Sequence, residues 1–374
     1  MASSGKAAVF VGPKRPFQIR EFPLPKLEPG AMLVKISMAN ICGSDLHIYR
    51  GDMAKAGFDG SRESILGHEM AGRVAALGDG VKTDWLGKPL KEGDRVVYQY
   101  FQPCQRCPVC LSGHTRACPN KYARRGAIGE WPYFTGGYGE YYYVTPGRAV
   151  FKVEDDRIPD NLVASVNCAF CQVAQGLDAV SLKFGESCVI QGAGGLGLFA
   201  TVVAKEMGAA PLIVIDALAP RLALAKQFGA DHVIDASQVK DSNARVAKVK
   251  ELTGGLGAEV VAELVGFPTV VQEGWNMTRP SGRYLEIGNI SRGMTMPYDP
   301  AELTFSNRSV HGVMLYEPRQ IPRVLDFISR NWGKYPFDKV VSHTYSLEKI
   351  DEAFAQSEWL GKRQDKVVRA AIAP

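Results

Sequence analysis

The sequence predicts an α/β protein built from a barrel-like β domain followed by a doubly wound domain with a six-stranded parallel sheet. Three observations predict it. Up to about residue 165, short β-like runs are separated by frequent glycine and proline turns. From about residue 170, near-continuous apolar runs alternate with helical patterns, as in a parallel sheet covered on both faces. The loop Gly192-Ala193-Gly194-Gly195-Leu196-Gly197 joins the first of those runs to the first of those helices.

In the first part the candidate strands are Ala7–Phe10, Met32–Ile36, Gly72–Leu77, Asp94–Tyr98 and Tyr141–Val144. Turn signals such as Glu28-Pro29-Gly30, Leu77-Gly78-Asp79-Gly80 and Glu92-Gly93-Asp94 punctuate them. In the second part the candidate strands are Ser187–Gln191, Pro211–Asp216, His232–Ile234, Glu259–Glu263, Arg283–Ile287 and Ser309–Val313. Helical patterns run through Leu196–Met207 and Pro220–Phe228, and later through Gln320–Asn331 and Leu347–Gln356. The domain boundaries read from this are 1–170, 171–312 and 313–374, with the last segment returning to the first domain. No internal repeat and no low-complexity segment is visible.

At 374 residues the chain is long for one domain and natural for two. Its 46% hydrophobic and 22% charged residues are ordinary for a globular protein. Lys and Arg outnumber Asp and Glu by 44 to 39, and the basic residues form no run longer than Arg124-Arg125, which argues against nucleic-acid binding. The first residues carry no apolar signal segment, and no stretch approaches the ~18 apolar residues of a membrane span. A cytoplasmic protein with reduced thiols is expected.

Half of the 8 cysteines fall in one stretch, Cys104, Cys107, Cys110 and Cys118. That spacing lets four thiolates converge on a tetrahedral zinc at roughly 2.3 Å each. Pro103, Pro108, Gly113 and Pro119 favour the irregular loop that a metal would hold together. Two disulfides are the alternative, which a reducing compartment disfavours. Four protein ligands leave no open position, so this zinc is structural.

The glycine loop has a physical purpose in its strand-to-helix context. Gly192 permits the turn, Gly194 lets the backbone approach a pyrophosphate, and Gly197 lets helix and strand pack closely. Gly195 and Leu196 then open the helix whose free amides face the anion. Asp216 closes the second strand, where a carboxylate accepts ribose hydroxyls and repels a 2′-phosphate; this favours NAD over NADP. Arg221, one turn further on, works against that preference, since a basic residue there can serve a ribose or a phosphate.

The other cysteines are Cys42, Cys168, Cys171 and Cys188. Cys42 opens the segment Cys42-Gly43-Ser44-Asp45-Leu46-His47, and Gly67-His68-Glu69 follows it in the same domain. With a dinucleotide fold alongside, two such segments suit a catalytic zinc, which needs three protein ligands and one exchangeable position. Over essentially its whole length the chain resembles the zinc-dependent medium-chain dehydrogenases, the alcohol dehydrogenase superfamily. The resemblance rests on the cysteine lobe, the Gly-His-Glu segment, the glycine loop and the returning C-terminal segment.

That resemblance implies a GroES-like first domain and two zincs per chain. It implies that Cys42, His68 and Cys168 bind the catalytic zinc, with Glu69 able to approach the metal; Cys171 competes with Cys168 for the third position. It further implies that Ser44 hydrogen-bonds the alcohol, that His47 ends a proton relay and that Asp45 supports the ligand histidine. Arg369, in Lys366-Val367-Val368-Arg369, is implied to contact the cofactor pyrophosphate. The implied activity is reversible oxidation of an alcohol to an aldehyde or ketone with NAD, in a homodimer or homotetramer. Tyr100, Phe101, Trp131, Tyr133 and Phe134 suggest a bulky or ring-bearing small-molecule substrate. The alternatives are a polyol, amino-acid-alcohol or formaldehyde-handling relative, a zinc-free quinone or enoyl reductase, and a nucleotide sensor without turnover.

Overall fold

β-branched and aromatic runs set the strands of the first part, and the order in which they pair brings distant loops together. The computed structural model describes residues 3–122, 127–358 and 368–374. The chain divides into two compact units. One comprises Met1–Cys171, Leu315–Trp332 and Phe337–Pro374; the other comprises Gln172–Met314 and Gly333–Pro336.

The first unit is built on a seven-stranded sheet. Its strand order is His343–Ser346, Ala370–Ala373, Met32–Asn40, Glu69–Leu77, Arg95–Tyr98 and Val150–Lys152, with Tyr141–Val144 also pairing to Met32–Asn40. A three-stranded sheet of Gln18–Pro23, Ser4–Phe10 and Ser64–Ile65 accompanies it. The central strand Met32–Asn40 fixes the site's frame. Its Asn40 stands opposite both Glu69 on one side and Ala371 on the other. The returning strand thereby carries Arg369, the residue before it, towards Glu69.

All five strands expected in this unit are present, and the unit contains others that local pattern does not announce. Gln18–Pro23 is a mostly exposed edge strand that mixes polar and apolar residues without alternation. Ala370–Ala373 is three-quarters alanine, a poor intrinsic strand former that is buried between neighbours.

The second unit is a six-stranded, wholly parallel sheet. Its order is His232–Asp235, Leu212–Asp216, Cys188–Gln191, Ala258–Glu263, Thr278–Glu286 and Ser309–Gly312. This is the doubly wound order whose ligand crevice lies beyond the strands' carboxyl ends, where the order reverses next to Cys188–Gln191. Val189, Ile213, Ile215, Ile234 and Val261 pack from the sheet against Val246, Val249, Val271 and Met277 of the covering helices. The expected helices lie at Gly195–Glu206 and Ala219–Gln227, each one residue earlier than the pattern placed it. Gly333–Pro336 belongs to this unit: Lys334 pairs with Glu206 at 2.7 Å and Tyr335 stacks on Phe228. Among the described residues no helix is long and apolar enough to cross a membrane.

Candidate active site

Two clusters of potential metal ligands form among the described residues, both in the first unit. The cysteine lobe is the simpler. One ligand atom from each of Cys104, Cys107, Cys110 and Cys118 lies within 4.8 Å of every other. All eight cysteines are free thiols, and the 3.6 Å between Cys118 Sγ and Cys104 Sγ is far beyond a disulfide bond. Hydrogen bonds from the Arg106 backbone and Asn120 bring the Cys104 thiol down to about 6, whereas burial among the other thiols pushes Cys110 up to about 12. Such crowded sulfurs suit one cation with no open position. Thr115 and Arg116 hydrogen-bond Glu317, tying the lobe to the returning chain.

The second cluster is assembled from three separate elements. Cys42, His68, Glu69 and Cys168 each place one ligand atom within 4.8 Å of the others. Cys42 caps the helix Gly43–Arg50. Gly67 precedes the other two at φ +83°, where a Cβ would stand 2.9 Å from the Tyr138 ring, so only glycine fits this turn. Cys168 sits in the π-helical turn Val166–Phe170, which interrupts the helical run between Asp160 and Ala179. A π-turn inserts one residue and re-aims the side chains around it. Cys168 is thereby brought to the cluster, while Cys171 lies outside it, buried, with its thiol pushed well above the usual range by desolvation. Cys188 is likewise a buried strand residue.

The surroundings hold these ligands in place. Asp45 Oδ2 accepts from the Cys42 backbone N–H at 3.0 Å and from the Tyr138 hydroxyl at 2.8 Å. Its other oxygen faces His68 Nδ1 at 3.6 Å, an arrangement that leaves Nε2 for the centre. Ser44 Oγ stands 3.5 Å from that Nε2, and the Tyr100 ring packs over His68. Tyr138 had no distinguishing signal among 14 tyrosines and emerges only from the fold.

Charge explains why the cluster calls for a cation. The Cys42 thiol is held well below its usual range by a hydrogen bond from Cys168, whose own thiol is pushed well above. Burial alone would lower His68, but the facing Asp45 and Cys42 charges raise it well above the imidazole range. Burial pushes the Glu69 carboxyl up to about 8 although the Arg369 guanidinium pairs with it. Two thiols, an imidazole and a fully buried carboxyl in one pocket match the donor set of a catalytic zinc. Arg369, expected at a pyrophosphate, is buried against Glu69, so its charge acts on this cluster. Lys366 and Val367 lie outside the described residues.

His47 is buried, with Nδ1 2.9 Å from Asp52. Burial, aided by the nearby Arg50 charge, lowers its pKa. Trp131, Tyr133 and Phe134, read from sequence as pocket walls, pack instead on Tyr143 and Phe22 of the sheets, and only Tyr100 meets the cluster directly. Phe101 is buried behind Tyr100 and against Tyr316.

In the second unit the glycine loop leaves the strand Cys188–Gln191 at Gly192, φ +93°, and opens the helix Gly195–Glu206 from Gly194. A Cβ on Gly197 would collide with the Gly192 carbonyl oxygen. Above Gly194 the nearest atom to a Cβ is an Arg221 guanidinium nitrogen at 3.8 Å, an open cradle with a cation at its edge. Leu196 is half-buried within the first helical turn. Asp216 accepts from the Ala193 N–H at 2.7 Å and the Leu218 N–H at 2.9 Å, locking the loop; each oxygen retains capacity for a further donor.

Comparison with known proteins agrees with this layout. Residues 28–155 match the alcohol dehydrogenase GroES-like domain family, and residues 195–330 match the zinc-binding dehydrogenase family. A 5-exo-hydroxycamphor dehydrogenase from Pseudomonas putida is 31% identical, with 93% of this chain and 94% of the relative covered. An L-idonate 5-dehydrogenase from Vitis vinifera is also 31% identical, over 91% of this chain and 88% of that one. An alcohol dehydrogenase structure from Thermotoga maritima superposes with a TM-score of 0.88 at 28% identity, covering 100% of both chains.

Proposed function

Because the chain belongs to the zinc-dependent medium-chain dehydrogenase family, and is therefore an oxidoreductase acting on CH–OH groups with zinc and a nicotinamide cofactor, we propose that it oxidises a ring-bearing secondary or primary alcohol reversibly with NAD. The observation that carries this reading is the convergence of Cys42, His68, Glu69 and Cys168 within 4.8 Å beside the Ser44 hydroxyl. When bound, the zinc supplies Lewis acidity and the nicotinamide takes up hydride.

The chain's own residues do the rest. Cys42, His68 and Cys168 hold the metal, and two thiolates offset its charge. Asp45 fixes the His68 ring through Nδ1 and the Cys42 backbone through its N–H. Glu69, paired with Arg369, would be a fourth donor beside the metal. Ser44 Oγ receives the proton of the substrate hydroxyl, and His47 accepts it further out. Asp216 favours NAD, with Arg221 and the amides of Gly194 to Gly197 facing the phosphates. The four-cysteine lobe holds a second, structural zinc, and the active form is a homo-oligomer.

Tyr100 over His68 and the hydroxycamphor dehydrogenase relative support a ring-bearing substrate; the idonate dehydrogenase relative supports a polyol as the second reading. A panel of aromatic, alicyclic, aliphatic and polyol alcohols, run with NAD and with NADP at alkaline pH and followed at the NADH absorbance, tests both. Turnover of cyclic alcohols with NAD is expected. Exclusive turnover of open-chain polyols replaces the substrate, and no turnover in a fully zinc-loaded protein removes the reading.

A further inference from the structure

The relay reading ends at His47, yet His47 does not reach solvent. The residue is 4% exposed. A proton that arrives there needs another group to leave by, and the chain's own turn supplies one. Helix Gly43–Arg50 ends at Gly51, whose φ of 93° reverses the chain so that the Asp52 N–H bonds back to the His47 carbonyl at 3.0 Å. The same reversal lays the Asp52 carboxylate on the His47 ring, Oδ2 to Nδ1 at 2.9 Å. The Asp52 side chain is 31% exposed. A backbone hydrogen bond and a side-chain hydrogen bond thus join one buried imidazole to one solvent-facing carboxylate.

Resting on the dehydrogenase reading, we propose that Asp52 is the proton exit of the active site, taking the Nδ1 proton of His47 and releasing it to water. A carboxylate only accepts hydrogen bonds, so the resting imidazole carries its hydrogen on Nδ1 and keeps the Nε2 lone pair for the incoming proton. The incoming proton forms the Nε2–H bond. The Nδ1–H bond then breaks as Asp52 Oδ2 takes that proton, and water carries it away from the exposed carboxyl. One proton enters and one leaves; once product and cofactor have departed, water admitted on the Nε2 side takes up that proton and Asp52 returns one from solvent to Nδ1, which restores the resting tautomer. In the reduction direction the same steps run backwards and deliver a proton inward.

Neighbouring side chains hold the pair in place. Arg50 Nε donates to the same Asp52 Oδ2 at 3.0 Å, and its NH1 grips Glu358 at 3.0 and 3.1 Å. Arg50 therefore bridges Asp52 and Glu358 and aims the Asp52 carboxylate at the imidazole. On His47 itself, burial and Arg50 lower proton affinity, while Asp52 and Cys42 raise it.

Asp52→Asn and Asp52→Ala separate carriage from orientation, since the amide oxygen of Asn still accepts from Nδ1 but holds no proton at working pH. The zinc-loaded variants are first checked for zinc content and NADH binding, which should match the parent. Alcohol oxidation is then measured in dilute and in concentrated phosphate, on the alcohol the parent oxidises fastest. Both variants should lose about 10²-fold in dilute buffer and regain most of it in concentrated phosphate, a proton acceptor from solution. An Asn variant equal to the parent overturns the proposal, as does a loss that phosphate does not relieve. His47 titration by NMR gives a readout that needs no turnover. Removal of the carboxylate should lower the His47 pKa. An unchanged value overturns the coupling even if the parent oxidises no alcohol, an outcome that by itself would instead refute the dehydrogenase reading.

Discussion

The two four-donor clusters of the first unit solve opposite problems. The lobe draws four identical donors from one short stretch, and its sulfurs are held by local turns and backbone hydrogen bonds. The second cluster draws mixed donors from three distant elements, buries them, and leaves a hydroxyl at its edge. Four thiolates close a coordination sphere; a catalytic zinc keeps one exchangeable position for a substrate. The lobe's loss should therefore strike folding, and the scattered cluster's loss should strike chemistry.

The largest expected effect lies in the lobe. Structural zinc contributes on the order of 10 kcal/mol of folding free energy in small metal-held domains. Replacing Cys107 by Ser should abolish one zinc and cause aggregation or a large fall in melting temperature, while the remaining folded molecules keep turnover; calorimetry with zinc quantitation checks this. A variant that melts like the parent but is inactive would invert the comparison.

A buried carboxyl held by an amide sharpens the contrast. In the second unit Asn289 donates to both Glu263 and Glu286 at 3.1 Å, and burial together with Glu286 pushes the Glu263 carboxyl up to about 8. A carboxyl raised above its unfolded value contributes stability that is complete below the ordinary carboxylate pKa and is lost as pH rises through 8. Denaturant melts between pH 5 and 9 should show stability falling by a few kcal/mol, and Glu263→Gln should flatten that slope.

Smaller effects probe the scattered cluster's support. Asp45→Asn should lower zinc affinity or turnover about 10- to 100-fold, measured by competition with a chelator, because it loosens His68 without removing a ligand. Gly67→Ala should destabilise by about 1–3 kcal/mol through its left-handed backbone and the Tyr138 contact, read from urea midpoints. If Asp45→Asn unfolded the protein as severely as loss of Cys107, the division between scaffold and chemistry would fail.

What the sequence disclosed follows the range of the interactions. The lobe is readable because its spacing is local, and the parallel strands because runs such as Leu212–Asp216 are apolar throughout. Cys42, His68 and Cys168 become a set only through resemblance, since nothing in their spacing brings them together. The choice between Cys168 and Cys171 turns on a π-helical turn that no residue signals. Arg369 reaches Glu69 because an alanine-rich strand returns beside Met32–Asn40, and alanine gives no strand signature. Asp52 is legible only in hindsight, as the residue after a C-cap glycine.

The most direct test of the division of labour is zinc per chain and turnover in Cys42→Ala, measured on the same folded sample. The account predicts two zincs in the parent and one in the variant, with turnover abolished and the melting temperature close to the parent's. Two zincs with full turnover in the variant would contradict it.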